Sequence, residues 1–386
     1  MKCDVLVVGA SAAGMMAAIS AARCGSDVIL LDRNLWGEDH SANTLFEGMA
    51  TQTGLRVDQC YIKRSLQGMR IISPSGHIAT IPSKGYLIDR RRFDDHYLNI
   101  AEKEGVILME AEASGMQIRS SESWVSMRHG CIESKVTIDA SGVQPSLASQ
   151  AGISPMHHPR DIAWAMEATV QHPGLGEEDF FEYWIGSMAP GWKATFSPAG
   201  GDIATLGVFV RGYGRDVNPF FQSFLKKFKA YKSKAYGKIE QMKIVSTKQG
   251  GDPIAVLPKE IVSDSFMATG GTAGQSGLIY GMRAGTICGT VASRSAAAGD
   301  VSKASLSKYE KLWWSEFGWV YRIGRASLET LRNMSDEEID RLVKGFSGKK
   351  LILRGSLCSK ALNVGLKTTC IEPKVVLNLV INIARG

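Results

Sequence analysis

The hydrophobic pattern opens on a short apolar run, Asp4 to Val8 (DVLVV), then the small residues Gly9-Ala10-Ser11-Ala12-Ala13-Gly14. An Ala- and Met-rich stretch follows from Met15 to Cys24, and a second apolar run from Asp27 to Leu31 ends at Asp32. Short apolar runs bounded by turn residues predict buried strands, and Ala and Met favour helix. The chain therefore begins as strand, turn, helix, strand. Further on the pattern predicts a helix from Asp95 to Glu104 and strands over Val106 to Met109 and Val136 to Asp139, the last running into Ala140-Ser141-Gly142. Residues 160 to 215 alternate in strand fashion with Gly and Pro between the runs, which predicts an antiparallel sheet. Phe266 to Gly274 leads through Ser276-Gly277-Leu278-Ile279 into a small-residue helix, Tyr280 to Ser293. Two further helices are expected. Phe220 to Tyr236 interleaves Phe and Leu with Lys, and 306 to 331 carries Trp313, Trp314, Phe317, Trp319 and Tyr321.

The first turn carries specific chemistry. Gly9 permits a tight exit from the strand, a small residue at 11 lets backbone approach a pyrophosphate, and Gly14 lets the helix pack on the sheet. The helix N-terminus offers free N–H groups and the positive end of its dipole to phosphate. An acid at the end of the second strand, Asp32, is placed to accept from a ribose hydroxyl, which favours FAD or NAD over NADP. The middle glycine of the usual GxGxxG pattern is Ser11, still small and able to bond a phosphate oxygen. A second glycine-rich strand-to-helix junction lies about 260 residues later. Two such junctions suit a long cofactor touched at both ends, and FAD fits that better than NAD.

Composition narrows the partners. Lys plus Arg is 45 and Asp plus Glu is 38, a net charge of +7. Residues 344 to 386 hold eight basic residues and one acid, equal to the whole excess, so the remainder is near neutral. That distribution argues against a nucleic-acid-coating protein. Seven widely spaced Cys with no CxxC give no support to zinc ribbons, iron–sulfur clusters or a disulfide framework, and a reducing cytoplasm is the expected setting. No metal site is expected; His157 and His158 have no further ligand nearby in sequence. The acid at position 4 and the lack of a cleavage site argue against a signal peptide, and no run of about 18 apolar residues is present to span a membrane. The Lys-rich helix reads as packed by one face, with peripheral contact to an anionic membrane as the alternative. Residues 375 to 386 (VVLNLVINIARG) read as a docking strand or a lipid-facing anchor.

The chain resembles the geranylgeranyl reductase family of flavoproteins, within the larger group related to p-hydroxybenzoate hydroxylase. Ile88 to Asp94 is similar to that family's DRxxFD stretch, Asp139-Ala140-Ser141-Gly142 to its DAxG turn, and Gly270 to Gly285 to its flavin-binding segment. Ser335-Asp336-Glu337-Glu338, a capping box, resembles the start of a C-terminal helix in the family. The resemblance implies FAD, with Arg90 near the phosphates and the segment after Gly270 along the ribityl chain and ring. Chain and resemblance together give the expected cofactor-binding residues: Gly9, Ser11, Ala12, Ala13, Gly14, Asp32, Arg33, Arg90, Gly142, Gly271, Ala273, Gly274, Gly277, Leu278 and Ile279. Departures are visible. The ribityl-binding aspartate falls at Gly271, the flavin-loop proline is absent, and His40 to Gly48 replaces a cysteine-glycine region. The family's substrate motif, close to YxWxFP, aligns with Trp192 to Ser197 and keeps only an aromatic at 192 and Phe196.

The expected fold is α/β: a Rossmann-like FAD-binding domain (1–158, returning at 251–300), an inserted antiparallel sheet that roofs the substrate (159–250), and a C-terminal helical region (301–386). Trp164, Trp184, Trp192 and Phe196 would line the substrate cavity if strand phase turns them toward it, and are otherwise ordinary core aromatics. The resemblance implies an FAD-dependent reductase of isoprenoid double bonds, on a geranylgeranyl-type lipid or prenyl quinone, in which the cofactor carries the chemistry. No catalytic acid is identified from the sequence, and the electron donor is not legible. Two other readings stay open: a flavin monooxygenase or halogenase of the same fold, and a non-catalytic paralogue that binds a lipid or protein partner.

Overall fold

The structure is a computed structural model. It describes residues 1–37, 42–47, 53–119, 122–143, 147–156, 161–275, 277–348, 368 and 373–385. His157, His158, Ser276, most of the basic stretch after Gly348, and His40, Ser41 and Gly48 lie outside the described residues.

The apolar runs at the start become the centre of a parallel sheet. Strands β1 (Lys2–Val8), β2 (Val28–Asp32), β6 (Ile107–Glu110), β9 (Gly130–Asp139) and β16 (Phe266–Ala268) lie in the order β16-β9-β1-β2-β6. The short β15 (Val262–Ser263) pairs antiparallel outside β16, and β7 (Ala113–Arg119) and β8 (Glu122–Met127) extend β9 as an antiparallel meander. Both faces are covered, which is why β1 and β2 read as continuous rather than alternating apolar runs. Helix α1 (Ala12–Arg23) packs there with α4 (Leu278–Ala298). Their contact is backbone to backbone: a Cβ on Gly285 would lie 2.0 Å from Ala13 O, and one on Gly289 2.0 Å from Ala17 O. Small residues every fourth position of α4 therefore set the distance between the helices.

The second sheet has the order β14-β10-β13-β12-β11-β4-β5-β3. Its strands are β3 (Thr44–Phe46), β4 (Ile62–Ile72), β5 (Ile78–Ile88), β10 (Ile162–Gln171), β11 (Phe180–Trp184), β12 (Lys193–Pro198), β13 (Ile203–Arg211) and β14 (Lys243–Pro253). All neighbours are antiparallel except β11 and β4. The expected inserted sheet is thus present, but three of its strands come from residues 44 to 88, inside the segment assigned to the cofactor domain. β4 and β5 join it because β11 offers β4 a parallel edge.

Helix α2 (Arg90–Lys103) follows β5, capped by Asp89, whose carboxylate accepts from Arg92 N. Helix α3 (Asn218–Lys232) covers one face of the second sheet with Phe221, Phe224 and Phe228, all buried. This is the simpler of the two expectations for the Lys-rich helix. Helix α5 (Lys308–Arg332) buries Trp313, Phe317 and Tyr321 in the core of the first sheet. Helix α6 (Asp336–Phe346) begins with the capping box read from the sequence: Ser335 accepts from Glu338 N, and Glu338 accepts from Ser335 N. The apolar C-terminal stretch is not a strand. It is helix α7 (Pro373–Arg385), packed on α5 with Asn382 Nδ2 donating to Thr330 Oγ1.

Candidate functional site

A cavity of about 630 Å³ runs between the two sheets, from the β1–α1 turn to the N-terminus of α4, under one face of the second sheet. At its start Gly9 has φ +103°, and a Cβ there would lie 2.6 Å from Ala140 C, so only glycine fits. Ser11 caps α1 by accepting from Gly14 N at 3.2 Å. Ser11 therefore does structural work that the glycine it replaces does not. Gly14 itself does not line the cavity. It lies behind the turn, where a Cβ would be 1.9 Å from Gly9 O. Asp32 is at the cavity edge, and its carboxylate accepts from Ala10 N (2.6 Å) and Asn34 N (2.8 Å).

Of the other expected residues, Ala12, Ala13, Arg90, Gly142, Gly271, Gly277, Leu278 and Ile279 line the cavity. Arg90 is held by Asp94 through Nε and Nη2, and its Nη1 donates to Ala42 O. Arg33 is exposed, and Ala273 is buried in the core; neither lines the cavity. Gly274 also lies outside it, with φ +73° against Val256, as the C-terminal residue of the 270–273 turn. A cross-brace fixes the middle of the cavity. Thr272 Oγ1 donates to Gly142 O and accepts from Gly142 N, both at 3.0 Å, while Asp139 Oδ1 accepts from Ser141 N and Oγ. A Cβ on Gly271 would lie 3.2 Å from Gly142 Cα, so this brace is tightest with glycine at the position where the family carries aspartate.

Two features accept a bound group with carbonyl or phosphate oxygens. Helix α4 starts at Gly277 (φ +94°) with no side-chain cap, so its first N–H groups are open toward the cavity. Gln275 lines the cavity and is 2% exposed. Its Oε1 accepts from Thr269 Oγ1, Gly270 N and Tyr309 OH, and its Nε2 is buried without a partner among the described residues. A buried amide donor left unpaired is costly unless a ligand completes it. Glycine turn, open helix ends and orphaned donor together fit a dinucleotide cofactor lying along the cavity.

The roof differs from expectation. On β11 and β12 the cavity side is Phe181, Tyr183, Lys193, Thr195 and Ser197. Trp184 and Phe196 sit on the opposite face, buried against Phe224 and Phe228 of α3. Trp192 lies at the strand's start beside Phe209 and Ala255 and lines a smaller pocket next to α6. None of these three aromatics, nor Trp164, lines this cavity. Antiparallel strands alternate faces, and α3 claims the apolar one. Lys193, Thr195 and Ser197 face the cavity where the aligned motif led to Trp192, Ala194 and Phe196.

Charged groups missed by sequence reading share this roof: Glu167 on β10, Lys193 on β12, and Lys248 and Asp252 on β14. Burial pushes the Asp252 carboxyl up to about 6, against the pull of the Lys193 ammonium. Because this folded-state value exceeds the ordinary 3.8, Asp252 adds stability below the lower value, and that stability is lost as pH rises through the higher one. Asp252→Asn should therefore match the wild type in the alkaline arm after a constant offset, but lack the wild type's decline between those two pH values. Thermal melts of both proteins across that range check this.

The chemistry of the site now meets its relatives. Residues 4–68 match a family described as FAD dependent oxidoreductase. Digeranylgeranylglycerophospholipid reductase 1 of Methanothermobacter thermautotrophicus is 29% identical over 89% of this chain and 90% of the relative. The digeranylgeranylglycerophospholipid reductase of Methanocaldococcus jannaschii is 26% identical over 88% and 90%. Among solved structures, a geranylgeranyl bacteriochlorophyll reductase-like protein from Thermoplasma acidophilum superposes with a TM-score of 0.86 at 20% identity, covering 99% of both chains. A flavin-dependent brominase superposes with a TM-score of 0.69 at 17% identity over the whole of both. The chain is an FAD-dependent oxidoreductase. Within that class it is similar along most of its length to digeranylgeranylglycerophospholipid reductases, and it shares its fold with the geranylgeranyl bacteriochlorophyll reductase-like protein.

Proposed function

We propose that this protein reduces carbon–carbon double bonds of an isoprenoid substrate. The observation that carries the reading is the single cavity that joins the glycine turn, the open N-terminus of α4 and the roof of the second sheet. A cavity so lined can hold a cofactor and a second molecule face to face. In this reading Gly9 to Gly14 and the start of α1 hold the pyrophosphate, and Asp32 accepts from the adenosine ribose. Arg90 faces the phosphates. The first N–H groups of α4 and Gln275 Nε2 bond the polar edge of the ring. Bound and reduced, FAD supplies the hydride. The chain's own part is to bind, orient and exclude water. Ser11 is expected to matter twice, as helix cap and as phosphate neighbour. The test is product analysis after oxygen-free incubation of the FAD-loaded, dithionite-reduced protein with geranylgeranyl lipids and prenyl quinones. Saturated product, two hydrogens heavier per bond, supports the reading. Product that forms only when oxygen or halide is added favours the monooxygenase or halogenase alternative, whose fold relatives include the brominase.

A peripheral membrane contact is part of the same proposal. Among the described residues no helix is long and apolar enough to cross a membrane. Helices α5 and α7 leave Leu312, Trp319, Leu377 and Val380 exposed on adjoining elements. Apolar side chains exposed in such numbers suit a lipid interface. Vesicles containing anionic lipid should co-sediment the protein, and Trp319→Ser with Leu377→Ser should reduce the bound fraction several-fold. Equal binding by the double variant would contradict this contact.

A further inference from the structure

We infer that the substrate presents an anionic oxygen group, a carboxylate or phosphate, to the roof of the cavity, and that Lys193 is its anchor. This rests on the reading of the cavity as the substrate site and names the chemistry of what enters it. The roof is not an apolar wall. Lys193, Thr195 and Ser197 occupy successive cavity-facing positions of β12. Thr195 and Ser197 are each 4% exposed, and the Thr195 hydroxyl makes no hydrogen bond among the described residues. A purely apolar chain laid on this wall would strip water from these groups and give nothing back.

Lys193 is the cation left for a ligand. Its Nζ sits over the rings of Tyr183 (4.4 Å), Trp192 (5.0 Å) and Phe209 (5.3 Å), and it forms no ion pair among the described residues. Aromatic faces hold an ammonium in place while leaving its donors free for an anion. The other roof charges are arranged differently. Lys248 lies opposite Glu167 in the β10–β14 register. Asp252 faces the cavity on β14, where burial opposes its charged form and the Lys193 ammonium favours it; Tyr321 of α5, its pKa raised by burial, is near enough to be raised further by the Asp252 charge. An anion at Lys193 therefore competes with Asp252, and removing the Asp252 charge should help it bind.

Calorimetric titration of the full, FAD-loaded chain at neutral pH tests this with geranic acid and geranyl phosphate against geraniol, and with inorganic phosphate alone. The expected result is that either anion binds about tenfold or more tightly than geraniol. Lys193→Met should abolish that preference, Lys193→Arg should keep most of it, and Asp252→Asn should tighten the anions several-fold without changing geraniol. Added salt should weaken the anions selectively. Equal binding of geraniol and the anions, or an unchanged preference in Lys193→Met with normal FAD content, overturns the inference, as does the absence of binding by any anion. If inorganic phosphate binds as tightly as geranyl phosphate and needs Lys193, the anchor stands and the isoprenoid reading is what fails. An anion preference that survives in Lys193→Met but disappears in Lys248→Met would place the anchor elsewhere and also overturn it.

Discussion

Gly14→Val should yield a protein that carries no flavin and is destabilised by about 3 kcal/mol or more. A Cβ at this position would sit 1.9 Å from the carbonyl oxygen of Gly9 and 3.1 Å from Ala140 Cβ, so there is no rotamer that avoids backbone. Relief requires α1 to lift off the sheet. Its partner α4 cannot follow, because Ala13 O and Ala17 O already touch the glycine face of that helix. The phosphate-facing N–H groups then lose their common direction. Gly237→Ala is the control: its Cβ would meet nothing within 4 Å, so a near-neutral effect is expected. Flavin absorbance per chain and denaturant melts read both outcomes. Full flavin content in Gly14→Val would remove the glycine turn from the cofactor site.

Lys232→Met should cost about 3–5 kcal/mol, felt in the second sheet rather than the first. Lys232 is 3% exposed and donates to Glu178 Oε1 (2.6 Å) and Glu182 Oε1 (2.8 Å), with Phe196 packed against its ammonium. Glu182 is 1% exposed; burial pushes its carboxyl up, and Lys232 is the main pull in the other direction. Removing the lysine leaves that carboxylate buried with, among the described residues, only Trp184 Nε1 as donor. The double change Lys232→Met with Glu182→Leu should recover most of the loss, since an apolar pair of similar volume satisfies the same space. Trp184, bonded to Glu182 and packed edge-on or tilted against Phe224, Phe228 and Tyr231, gives a local fluorescence signal for the melt. A double variant no more stable than Lys232→Met would contradict the role given to the pair.

The parallel sheet, the turn at Gly9 to Gly14 and the second junction at Gly270 were legible because each is local. Strand, glycine and helix start lie within about fifteen residues, and the steric demand falls on one residue at a time. The capping box at Ser335 was legible for the same reason. The roof was not. Deciding whether Trp184 and Phe196 or Tyr183 and Lys193 face the cavity needs to be told which side α3 covers, and α3 starts more than twenty residues after β12 begins. A signal was present in the sequence: the three phenylalanines of α3 call for an apolar sheet face, and Ala194, Phe196, Leu206 and Val208 provide one. Pairing those two patterns would have turned Lys193, Thr195 and Ser197 toward the cavity. The orphaned Gln275 amide depends on Tyr309 of α5 as well as on its own turn, and the charged group around Asp252 on three strands of the second sheet, so no single window of sequence displays either. Strands β3 to β5 were misassigned because nothing between residues 44 and 88 marks the sheet they join.

The most direct measurement is oxygen-free reoxidation of the reduced, FAD-loaded protein by a geranylgeranyl-chain lipid, followed at the flavin band at about 450 nm. Recovery of that band with lipid alone, in proportion to the saturated bonds formed, is the expected result. A flavin that stays reduced until oxygen is admitted, whatever isoprenoid is offered, would contradict the assignment of this protein as an isoprenoid reductase.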